Sequence, residues 1–389
     1  MSFPSEEVRP EDFQAAGDGD TNDQSAFDQA TAYLAQVSGP RVLHLTAGRW
    51  YRVGTTDGSP AVKLPPNTTI RGVKGWGLST TANAPILDLS AGGCSALNFT
   101  LTGTSSGANQ HAVVFGKPGI AGSGASDTLV IGLHAKWIAG KGFYFPATSD
   151  HAHIGPQLIG CKAENCFTAG ISVEGQEDIT VTNFVAYGCT TGLYLESGNF
   201  KWVGGTANLN TVGVHIAVDP NGNDGHGTIS SVHINHSTEM AVRVGAIVNG
   251  FDFADCNIYY PDHSATVEQG IYLQGSRGVT FSGGKIDVGD IYLDGCVGAR
   301  FNNVGWPMSC PNNVHDNYNN NPSTSFWINN RKLDGLPFRS DSLNFPLVAQ
   351  NQRPAATAAN AGFPIFNIDA NQIQVSDGTN WRDGNGNIV

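Results

Sequence analysis

Charged residues are scarce in this chain, 14% of 389, and the cationic ones scarcest of all, with 21 Lys and Arg against 33 Asp and Glu. A formal net charge of −12 excludes binding to nucleic acid by charge alone. It also works against a polyanionic substrate, unless basic residues are gathered locally. Long apolar runs are missing. No stretch approaches a membrane span, so no membrane insertion is expected. The start, Met1-Ser-Phe-Pro-Ser-Glu-Glu7, has neither the charged region nor the apolar run of a signal peptide. Cysteine occurs as an odd seven, so complete pairing within one chain is impossible. No Cys-x-x-Cys pair and no Cys/His cluster suggests zinc, and no metal is expected. Cys161, Cys166, Cys189, Cys256 and Cys296 fall at similar places in a repeat and read as small buried thiols.

The 49 glycines suit a β-rich chain with many tight turns. From Gly142 to Leu293 one phrase returns: Gly142-Phe-Tyr-Phe145, Gly170-Ile-Ser-Val173, Gly192-Leu-Tyr-Leu195, Gly213-Val-His-Ile216, Ala241-Val-Arg-Val244, Gly270-Ile-Tyr-Leu273 and Asp290-Ile-Tyr-Leu293. A small residue followed by apolar–polar–apolar is a short strand with alternate side chains facing a core. The starts are separated by 20 to 29 residues, the mark of a solenoid with unequal loops. A second strand follows in most coils, as at Phe200-Lys-Trp-Val203 and Gly278-Val-Thr-Phe281, and no helical stretch intervenes. The expected fold is all-β: a right-handed, single-stranded parallel β-helix of roughly eleven coils, about 50 Å long at the strand spacing.

Residues 1–40 hold a strand and one amphipathic helix, with Ala26, Phe27, Ala30, Leu34 and Val37 on one face, after a capping box at Thr21-Asn-Asp-Gln24. Such a helix is expected to cover the open end of the core. The β-helix proper is expected over 41–307, an Asn- and Pro-rich linker or irregular region over 308–345, and a small C-terminal β module over 346–389.

The stretch Val8–Ala35, with Asp12-Phe13, Ala15-Ala16-Gly17-Asp18-Gly19, Thr21-Asn22-Asp23 and Ala26-Phe27, resembles the opening motif of pectate-lyase superfamily β-helix proteins of phage tailspike and depolymerase type. Those proteins usually carry Gly where Gln14 stands and Asp where Asn22 stands. Val42–Tyr51 and Leu64–Gly72 resemble the next strands of that family. Gln352-Arg-Pro354, Gly362–Ile368 and Asp377–Gly386 resemble a C-terminal element of phage tail fibres and spikes. The resemblance implies a homotrimer on a virion tail or outside the cell, cleaving a bacterial capsule, exopolysaccharide or O-antigen. The alternative is a spike that binds the glycan without cutting it.

Alternation puts Val114, Tyr144, Ser172, Tyr194, His215, Arg243, Tyr272 and Tyr292 outward in successive coils. Two residues on stand Glu174, Glu196, Ala217, Gly245, Gln274 and Asp294. Exposed aromatics suit the apolar faces of sugar rings, which makes Tyr144, Tyr194, Tyr272 and Tyr292 candidate substrate contacts, with Lys201. Glu174 and Glu196, one coil apart, form a candidate acid–base pair near 5 Å, and Asp219 offers a wider one. Alternatively, Arg243 neutralises a uronate carboxyl while His215 or Tyr194 takes the C5 proton, as a lyase requires. Net acidity tips the reading towards a hydrolase. Asp219–Gly225 resembles half of a calcium loop, but it lacks the late bidentate Glu, so no cofactor is expected.

Overall fold

A computed structural model describes residues 6–104, 107–121, 123–148, 155–175, 178–196, 198–218, 225–245, 250–259, 269–287, 289–306, 314–316, 323–328, 330–332, 342–344, 347–348, 350–357, 361–362 and 364–389. It is a parallel β-solenoid of about ten turns, with a single helix at the N-terminus and a small, mainly antiparallel sheet at the C-terminus. A typical coil gives one strand to an eleven-stranded sheet and two to a 25-stranded sheet.

The two strands in the larger sheet meet at a corner one residue wide. Asn98, Gly132, Gly160, Asn183, Gly204, Ser231, Asp255, Gly283 and Asn303 stack there with φ between 51° and 69°. Turning a strand on one residue requires the left-handed region, which Gly, Asn and Asp enter at least cost. The abundance of glycine and the scattered asparagines are therefore the corners of the solenoid. Inside, like stacks on like: Phe253 on Phe281 with ring centroids 4.7 Å apart, Phe281 on Phe301 at 5.1 Å, and Phe301 on Trp327 at 4.1 Å. The six described cysteines are buried free thiols.

Two strands precede the helix and already belong to the solenoid: Glu6–Val8 pairs with Arg41–His44, and Asp18–Asn22 pairs with Trp50–Arg52. The helix, Gln24–Gln36, buries Ala26, Phe27, Ala30 and Leu34. The expected capping box does not form. Asp23, the N-cap, instead accepts hydrogen bonds from the Ala16 and Gly17 amides, pinning the preceding loop. Gln14 has φ 70°, which accounts for the glycine that the resembling proteins carry there.

The stretch 308–345, expected as linker, departs from that expectation. Val314–His315, Ser325–Ile328 and Arg331–Lys332 pair in parallel with the preceding coil. The stacking of Trp327 on Phe301 extends the core to these strands. No helix among the described residues is long and apolar enough to cross a membrane.

Candidate functional site

The eleven-stranded sheet carries the site. Its outward column runs Lys63, Asp88, Val114, Tyr144, Ser172, Tyr194, His215, Arg243, Tyr272, Tyr292, His315, one residue per coil and in register throughout. Strict alternation, with Phe143, Ile171, Leu193, Val214 and Val242 buried beside it, leaves no other face for these side chains. The column extends the one read from the sequence by two residues at its start and one at its end.

The tyrosines are not free platforms, because each hydroxyl donates to a carboxylate. Tyr144 donates to Glu174 Oε2 at 2.9 Å, Tyr194 to Glu196, Tyr272 to Asp294 at 2.9 Å, and Tyr292 to Asp290 at 3.4 Å. Tyr272 and Asp294 are both buried, so this pair stiffens the wall and offers no ring to a ligand. Tyr292 stacks on His315 at 4.4 Å, and His315 in turn contacts Asp290 at 2.8 Å. Burial, then the neighbouring Glu174 and Glu196 respectively, raise the pKa of Tyr144 and Tyr194 well above the usual phenol range. Tyr194, offered as a base alongside His215, is thus held protonated.

Glu174 and Glu196 lie on successive coils, since the Glu174 amide bonds to the Phe145 carbonyl and the Glu196 amide to the Val173 carbonyl. Glu174 is crowded with donors: the Lys141 ammonium, the Tyr144 hydroxyl, and the Ser172 hydroxyl at 2.8 Å. Acting as a general acid would require it to shed them.

His215 sits one coil beyond Tyr194 and one before Arg243. Its ring meets the Tyr194 ring edge-on at 5.2 Å. Burial, then the Arg243 charge, push its pKa down to about 4, so the imidazole is neutral near pH 7 and able to accept a proton. Arg243 is exposed, and no hydrogen bond or ion pair ties its side chain to another described residue.

Sequence reasoning missed the N-terminal half of this face. His111 and Lys141 occupy the same place in adjacent coils, three residues before the outward column. The Lys141 amide donates to His111 Nδ1 at 3.1 Å, the His111 ring lies 4.7 Å from that of Tyr144, and the Lys141 ammonium stands over the Tyr144 ring at 3.6 Å. Burial, then Lys141, take the pKa of His111 down to about 4. His111 and Tyr144 line a cleft of about 420 Å³, together with Lys63, Asp88 and Lys117. The available signal was positional: Lys141 begins the strand whose outward position is Tyr144, and His111 stands at the matching place, two residues ahead of the strand Val113–Val114.

Lys201 belongs elsewhere. It pairs with Thr180 and Thr228 in the larger sheet, because it lies on a strand that follows the loop after the column strand. Asp219 lies outside the described residues, as does nearly all of the calcium-like stretch 219–225. Among the described residues no group of three His, Cys, Asp or Glu is placed to hold a metal ion.

A parallel β-helix with a polar, aromatic column on one sheet defines the class: the chain is a right-handed parallel β-helix protein. No protein-family model matches it, and no curated protein matches it in sequence. Solved structures do match. The A-module of an Azotobacter vinelandii mannuronan C-5 epimerase aligns with TM-score 0.54 at 18% identity, over 84% of this chain and 99% of that one. A second A-module from the same organism gives 0.50 at 15%, over 82% and 100%. The tailspike protein of E. coli bacteriophage HK620, solved in complex with a pentasaccharide, gives 0.51 at 12%, over 84% of this chain and 62% of that one. The chain thus shares its fold with polysaccharide epimerases and with phage tailspikes.

Proposed function

We propose that this protein is a polysaccharide-active enzyme of tailspike-like build that acts on a uronate-containing bacterial surface glycan by abstracting the proton next to the carboxyl group. The observation that carries the reading is the neutral His215 set between a protonated Tyr194 and an exposed Arg243, in register on three successive coils. Arg243 pairs with the uronate carboxylate and spreads the charge that develops when the adjacent C–H ionises. His215 takes the proton. Tyr194, held protonated and bonded to Glu196, supplies a proton to the departing oxygen or to the opposite ring face. The first outcome is elimination and the second is epimerisation. Hydrolysis is the second reading, favoured by the adjacent coils of Glu174 and Glu196, and it weakens because Lys141, Tyr144 and Ser172 already occupy Glu174. The likeness in build to tailspikes supports a virion-tail setting.

The test is incubation with a panel of acidic and neutral bacterial polysaccharides, following unsaturated-uronate absorbance, new reducing ends and uronate stereochemistry together. Absorbance or inversion at C5, lost in His215→Gln, is the expected result. Reducing ends alone, lost in Glu196→Gln and retained in His215→Gln, would replace this reading with hydrolysis. Binding without any product would leave a glycan-holding spike.

A further inference from the structure

A dense cluster of cations lies on a different face, the second strand column of the larger sheet. Glu164 is its centre. Its carboxylate takes the Lys162 ammonium at 2.6 Å, His134 Nε2 at 3.0 Å and the Lys136 ammonium at 3.7 Å. Strand pairing sets His134 beside Lys162 and Lys136 beside Glu164 on adjacent coils. Lys74 lies at the other end of the strand His134–Lys136, its Cε 3.4 Å from the place a Cβ on Gly132 would occupy. One carboxylate thus faces two lysines and one imidazole, in a chain that is strongly acidic overall. The lysines remain more than a third exposed and retain hydrogen-bonding capacity after meeting Glu164.

Aromatic surface borders the cluster. Lys136 lies 5.9 Å from the centre of the Trp137 ring, and Lys162 lies 5.5 Å from that of Tyr187. Trp137 is 47% exposed and has φ 57°. It stands at the next corner of the coil, where the following two coils place Asn165 at φ 52° and Gly188 at φ 64°, residues that tolerate this conformation. Its exposed ring stands in a backbone conformation that costs energy for a bulky residue, as Leu209 does at the same corner three coils on.

We propose that this face is a second carbohydrate-binding surface, built for an acidic glycan chain, with Lys136 and Lys162 meeting sugar carboxylates and Trp137 stacking on a ring. Coils repeat at roughly 4.8 Å, so cations on neighbouring coils suit charges carried on neighbouring sugars of an extended chain. The proposal stands apart from the catalytic reading: the cluster shares no residue with the column of Tyr194, His215 and Arg243. On a depolymerase such a surface keeps a long chain attached while the other face works.

The test is titration calorimetry of the full chain with a polyuronate of defined length, on a His215→Gln background so that turnover does not enter. A neutral glycan and a single-stranded DNA of matched charge serve as competitors. Lys136→Gln/Lys162→Gln is expected to weaken polyuronate binding at least tenfold and to flatten its salt dependence. Trp137→Asn is expected to weaken binding while raising Tm, because Asn accepts the corner conformation. Polyuronate binding unchanged in the double variant overturns the proposal, as does equal affinity for the neutral glycan or for DNA. A fall in Tm in Trp137→Asn with binding intact would make that ring structural and overturn its role.

Discussion

An imidazole that titrates near 4 remains a competent base far into the acid range, and this makes His215 testable by pH alone. The acid limb of kcat/KM reports the free enzyme's base. Burial is the larger cause of the depression and the Arg243 charge the second. The limb is therefore expected near pH 4, where an ordinary histidine would fail near 6.5. Arg243→Gln removes only the second cause, so the limb should move upward towards 6.5 without reaching it, while the plateau falls by about two orders of magnitude through loss of the carboxylate clamp. A limb that stays at 4 in Arg243→Gln would separate the two residues and sink the pairing. The outward placement of both was legible in the sequence, because a period of two leaves each strand residue only two choices. The tyrosine–carboxylate bonds were not legible. Glu196 accepts from the tyrosine of its own coil and Glu174 from the tyrosine of the preceding coil, and that distinction depends on rotamers that composition does not encode.

At the scale of the element, the strand Phe200–Asn208 shows what the repeat conceals. Its first half reads as an ordinary strand, but it continues through the corner on Gly204 and Gly205, with φ 69° and 100°. Gly205 faces Phe184 so closely that a Cβ would lie 2.0 Å from the Phe184 carbonyl oxygen. Gly205→Ala combines left-handed strain with a backbone clash, and the expected cost is at least about 3 kcal/mol. Contacts in a solenoid run mainly to neighbouring coils, so the damage should appear first as faster hydrogen exchange in the strands Thr180–Tyr187 and Phe200–Asn208, with the N-terminal cap little changed. Uniform loss of protection along the whole rod would contradict that picture. The same near-neighbour logic explains why the paired strands within 308–345 were hard to read as sequence: one aromatic, Trp327, stacked on Phe301 marks them.

For the whole molecule, the C-terminal module presents the argument for assembly. Its four strands are Leu347–Val348, Pro364–Asn367, Gln372–Ser376 and Trp381–Asp383, and among the described residues its core is Ile365 and Trp381, with Ala356 against it. The strand Gln372–Ser376 is inverted: Gln374 and Ser376 are buried, while Ile373 and Val375 face out. Gln374 accepts hydrogen bonds from Arg353 at 2.9 Å and Asn367 at 3.2 Å, so the inward face is a satisfied polar network and not a folding error. Ile368, Ile373, Val375 and Ile388 are left exposed around it. A module with so small a core gains stability by covering such a face, and further copies of the same module offer the matching surface. We propose that three chains associate through it, the arrangement implied by the resemblance to spike proteins. Sedimentation equilibrium at micromolar concentration should give three chain masses for the full sequence and one for a chain ending at residue 345. Ile373→Lys/Val375→Lys should give monomers with the solenoid intact by circular dichroism. A full chain that sediments as a monomer would leave the inverted strand without a partner of its own kind and would end the assembly proposal, while leaving the face of Tyr194, His215 and Arg243, formed within one chain, untouched.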